Sequence, residues 1–93
     1  MTDARDAAIA ARFAKACAEA RRHFWALMAA RGLYEKDGWR ILESIRQVEG
    51  GSQLVMRPMH LHLDPPGDVE CIVEIEEDSA HVDTHCTPAV KAA

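Results

Sequence analysis

No stretch of this 93-residue sequence approaches the ~20 consecutive apolar residues of a membrane-spanning helix. Cysteine is scarce. Cys17, Cys71 and Cys86 are odd in number and lack CxxC spacing, so neither a disulfide framework nor a zinc knuckle is indicated. No serine-nucleophile motif occurs, and the glycines form no phosphate-cradling loop. The opening residues Met1-Thr2-Asp3-Ala4-Arg5-Asp6 are polar and do not read as a secretory signal. A cytoplasmic chain without membrane attachment is expected, with its thiols reduced.

What is present is an apolar fraction of 48%, enough for a folded chain, in a length that suits one domain (residues 1–93) with a modest core. The net charge of -4 is unevenly distributed. Residues 1–32 carry six basic and three acidic groups, and residues 33–93 carry five basic and twelve acidic groups. Arg5, Arg12, Lys15 and Arg22 form a basic stripe, but with an acidic remainder it reads as a solvated helix face, and nucleic acid is not an expected partner.

The alanine-rich start predicts one helix over 3–31, with Thr2 or Asp3 as cap and Arg31-Gly32 as its stop. Ile9, Phe13, Cys17, Ala20, Phe24 and Leu27 recur at spacings of three and four and predict its buried stripe. Trp25 and Met28 fall beside that stripe and are the candidate partner-binding residues. Residues 39–48 fit either a strand or a helix; β-branched residues and the following Gly50-Gly51 favour the strand. Residues 53–63, 69–77 and 80–86 alternate as strands. Pro58 weakens the first of these, and Asp78-Ser79 reads as a two-residue turn before the last. The expectation is an α+β fold: one long helix packed on a three- or four-stranded antiparallel meander over 39–86, with a loose tail at 89–93.

Four of five histidines lie in two short alternating runs, His60-Leu61-His62-Leu63-Asp64 and His81-Val82-Asp83-Thr84-His85. On strands, each run puts its polar residues on one face. A two-residue turn at 78–79 pairs Glu74 with Asp83, Ile72 with His85 and Cys71 with Cys86. A hairpin centred near Pro66 pairs His62 with Glu70 and His60 with Ile72. His60, Ile72 and His85 then form one row. His60, His62, His81, Asp83 and His85 become candidate ligands for zinc or another divalent transition metal. The plainer reading is a set of solvated cross-strand pairs. The opposite face collects Met59, Leu61, Leu63, Val69, Cys71, Val73, Ile75, Val82 and Thr84 as core. Cys71 and Cys86 fall there as a hydrogen-bonded pair, expected to stay free thiols.

One long helix followed by a meander resembles the cystatin-like or NTF2-like arrangement, in which a sheet wraps a helix; that resemblance implies space for a small ligand between the layers. The residues themselves supply no catalytic constellation, since adjacent His85 and Cys86 point to opposite faces of a strand. The expected function is that of a small accessory protein of bacterial type, non-enzymatic and acting through protein contacts as a homodimer. Either Trp25 and Met28 or the open sheet edge is buried in that dimer. The alternatives are a metal-binding protein or small metalloenzyme built on the histidine face, and a small-ligand carrier.

Overall fold

The structure is a computed structural model and describes residues 4–87. Helix α1 (Ala4–Ala30) is followed by a short 3-10 turn (Glu35–Asp37) and four strands: β1 (Arg40–Val48), β2 (Gly51–Met59), β3 (Glu70–Glu76) and β4 (Val82–Thr87). The sheet is antiparallel with spatial order β1-β2-β3-β4. This is the expected α+β meander with four strands, and residues 40–48 are strand. Helix-cap residues Thr2 and Asp3 and the tail at 89–93 lie outside the described residues.

α1 ends as its sequence dictates. Gly32 takes a left-handed conformation at φ 77°. Its N–H bonds the Ala29 carbonyl, and the Leu33 N–H bonds the Met28 carbonyl at 2.8 Å, the double closure of a glycine-stopped helix. The buried stripe runs Cys17, Ala20, Phe24, Met28. It follows Met28 rather than Leu27, because a helix of 3.6 residues per turn drifts over four turns. Met28, expected beside the stripe, has no exposed surface and belongs to the core.

Against that stripe the sheet presents Leu54, Met56, Cys71 and Val73, joined by Val69 at the end of the loop before β3. α1 packs over β3, with β4 and β2 beside it. β1 is tied to the helix by the Arg21–Glu43 ion pair at 2.6 Å, and Ile41 packs half-buried at the margin of the core.

The β3–β4 register is the one the sequence predicts: Glu74 opposite Asp83, Ile72 opposite His85, Cys71 opposite Cys86. The turn differs. Ala80 sits at φ 56°, and the Glu76 N–H bonds the His81 carbonyl at 2.9 Å. The loop is therefore Glu77 to Ala80, two residues longer than Asp78-Ser79 alone. That change leaves the pairing intact but inverts which pairs exchange hydrogen bonds. Cys71 and Cys86 become a non-hydrogen-bonded pair with Cα atoms 4.1 Å apart, and they form a disulfide instead of two free thiols.

The β2–β3 hairpin corrects the sequence reading. Leu54 pairs with Val73 and Val55 with Ile72, five positions away from a hairpin centred near Pro66. β2 stops at Met59, and residues 60–69 form a long loop. Leu61 and Leu63, expected in the core, are exposed (86% for Leu61), and Met59 is partly so. Alternation alone could not reveal this: a strand prolonged past Pro58 and a loop with alternating leucines look the same.

Candidate functional site

The two histidine runs do not meet in a row. Val55, not His60, stands opposite Ile72, so the His60–Ile72–His85 arrangement is absent. His60 instead anchors the 60–69 loop. Its Nδ1 accepts the backbone N–H groups of His62 (3.0 Å) and Leu63 (3.1 Å), which leaves Nε2 as the donor nitrogen. The Nε2–H donates to the Asp37 carbonyl at 3.0 Å, and the ring lies 4.9 Å from that of Trp39. Gly38, at φ 98°, makes room: a Cβ there would stand 3.0 Å from His60 Nε2. Both nitrogens are thus committed, and neither keeps a lone pair for a metal. The His62 ring lies 6.0 Å from that of His60. Among the described residues, no three His, Cys, Asp or Glu side chains are grouped to hold a metal ion.

At the other end of the sheet, His81 Nε2 lies 3.1 Å from Asp83 Oδ2. Asp83 stands opposite Glu74, but Glu74 accepts a 2.8 Å hydrogen bond from Gln53 Nε2. Gln53 in turn accepts from Arg46 at 3.1 Å. Each facing carboxylate thus has its own partner among protein groups, His81 for Asp83 and Gln53 for Glu74. His85 is exposed opposite Ile72. Of the basic stripe, Arg5 and Arg12 reach the β3–β4 loop, donating to the Asp78 (2.8 Å) and Ala80 (3.1 Å) carbonyls.

The thiol of Cys17 is buried, and burial pushes its pKa up despite nearby Arg21. Arg21 holds the Glu43 carboxyl below its usual range through a bidentate pair at 2.6 and 2.8 Å. Arg31 does the same for Asp68.

Of the two partner candidates, Met28 is inside the molecule and Trp25 is half-buried against the core. The exposed apolar surface is elsewhere. β1 displays Leu42, Ile45 and Val48, with Ile45 at 65% exposure. Ile45 borders an open groove of about 390 Å³ between α1 and β1, lined by Phe13, Ala14, Cys17, Arg21, Glu43 and Leu54. Its lining reaches the core residues Cys17 and Leu54, so this open groove lies at the rim of the helix–sheet core.

One backbone bond, carried through the strand registers, fixes where the β1 polar groups point. The Glu77 N–H donates to the Gly50 carbonyl, so β2 faces β3 with its even-numbered residues and β1 with Gly51, Gln53, Val55 and Arg57. Through the β1–β2 register, Val48, Arg46, Ser44 and Leu42 bond inward. The N–H and C=O groups of Ile41, Glu43, Ile45 and Gln47 project from an edge that no strand among the described residues covers. Sequence reasoning named an open sheet edge but missed β1 as that edge. The signal was apolar residues at 42, 45 and 48, a period of three that fits neither face of a strand.

No protein-family model, curated protein or solved structure matches the chain. The cystatin-like or NTF2-like resemblance therefore rests on element order alone. No helix among the described residues is long and apolar enough to cross a membrane.

Proposed function

We propose that this chain is a small non-enzymatic binding module that acts through protein contacts, self-associating as a homodimer, with β1 as its contact surface. The observation that carries this reading is a nine-residue edge strand with outward backbone donors and acceptors and three exposed apolar side chains. Natural sheets blunt such edges or cover them, because an open one pairs with other chains. The opposite edge, β4, is six residues long and exposes Asp83, Thr84 and His85, as a protected edge does.

The Cys71–Cys86 bridge favours an oxidising compartment over the cytoplasm expected from the sequence.

Amide hydrogen exchange tests the reading. The amides of Ile41, Glu43, Ile45 and Gln47 should gain protection as protein concentration rises, while those of the 60–69 loop stay unchanged. Free exchange of these four amides at every concentration would contradict it.

A further inference from the structure

We propose that β1 pairs antiparallel with β1 of a second copy, with Ile45 on the two-fold axis, to form one continuous eight-stranded sheet. This rests on β1 being the contact surface and adds its occupant and its register.

The argument is self-complementarity. A two-fold axis perpendicular to the sheet keeps each face on its own side, so only residues of like parity can oppose one another. Centred on Ile45, the strand sets Ile45 against its own copy and Leu42 against Val48 of the second copy, twice by symmetry. All three exposed apolar residues of β1 find apolar partners at once. Ser44 then meets Arg46, and Glu43, already paired with Arg21, meets Gln47. No like charges face each other.

The neighbouring registers fail this test. Centring on Ser44 sets Leu42 against Arg46 and Ile45 against Glu43. A centre at Glu43 opposes two Glu43 carboxylates and sets Arg40 against Arg46. Centring on Arg46 opposes two guanidinium groups and sets Ile45 against Gln47. Like charges directly opposite destabilise a ladder.

The backbone agrees. Ile45 projects its N–H and C=O outward, so the two copies of Ile45 exchange both hydrogen bonds at the axis. Leu42 and Val48 bond inward and so form non-hydrogen-bonded pairs across the dimer, where side chains approach most closely. α1 packs toward β3 and leaves this side of the sheet open.

Cysteine cross-linking distinguishes the registers. Leu42→Cys and Val48→Cys alter residues exposed in the single chain, Cys17 is buried, and Cys71 and Cys86 are already bonded. Under mild oxidation the two variants mixed should give a covalent dimer at least about tenfold more readily than either alone. In this register the two copies of Leu42 lie six residues apart along the strand, roughly 20 Å. Equal cross-linking by either variant alone would overturn the register. If the β1 amides remain protected at high concentration, that failure leaves the contact surface standing. Unprotected amides together with no cross-link in the mixture would overturn both.

Discussion

Met28 and His60 show how much a single side chain decides here. Met28 is fully buried among Phe24, Met56 and Val73, and its carbonyl closes the end of α1. Met28→Ala should cost about 2–5 kcal/mol by removing buried contacts and leaving a cavity, read by urea denaturation. His60 ties the 60–69 loop to Asp37 with one hydrogen bond and holds the turn of the loop itself with two more, from the His62 and Leu63 N–H groups. His60→Ala should cost about 1–3 kcal/mol and raise the exchange rates of the His62 and Leu63 amides; unchanged rates would remove its anchoring role. The Arg21–Glu43 pair sets a pH response. Glu43 has a lowered folded-state pKa, so the stability it supplies is present above its unfolded pKa and is lost as pH falls through the folded one. Glu43→Gln should flatten that acid limb in thermal melts from pH 7 to pH 3. The effect at pH 7 is about 0.2–1 kcal/mol, as both partners are partly exposed. The histidines mark where residue-scale reading stops. Their types suggested ligands, but His60 spends both nitrogens on backbone groups that only the folded loop brings near.

At the scale of elements, the helix and the β3–β4 pairing were legible because each has a strong local signal. Alanine content and a glycine stop define α1, and strict alternation on both sides of a short turn defines the last hairpin. The β2–β3 hairpin was not legible. A ten-residue loop separates those strands, so no turn chemistry fixes their register, and alternating leucines at 61 and 63 imitate a strand that is not there. The loop from Glu77 to Ala80 shows a subtler case. A two-residue turn and a four-residue loop give the same partners but opposite hydrogen-bond parity, and parity decides whether Cys71 and Cys86 can bridge. With the bridge closing a 15-residue separation, reduction should lower stability by about 3 kcal/mol on the chain-entropy account. Thermal melts with and without reductant check this. An unchanged melting temperature would mean the two sulfurs are not bonded in solution.

At the scale of the whole molecule, the layers are unequally covered. α1 lies across β3 with β2 and β4 on its flanks, which leaves β1 as an extension of the sheet beyond the helix. A single helix is too narrow to cover four strands, each about 4.8 Å from the next, so one side of the inner face must remain open. Composition hinted at a partner through apolar residues in excess of one stripe, but placed them on the helix. The fold moves Met28 inside and leaves Ile45 outside. On the proposed reading the partner surface is a strand edge, with directional backbone bonds and a defined register, instead of a helix face.

Sedimentation equilibrium across protein concentrations, on the wild-type chain and on Ile45→Lys, tests this most directly. Wild type should move with concentration from the 10.3 kDa of one chain toward twice that mass. Ile45→Lys, which changes a side chain 65% exposed in the single chain, should remain folded and monomeric throughout. A wild-type protein that stays at one chain mass at every concentration, or an Ile45→Lys variant that dimerises as wild type does, would contradict the account.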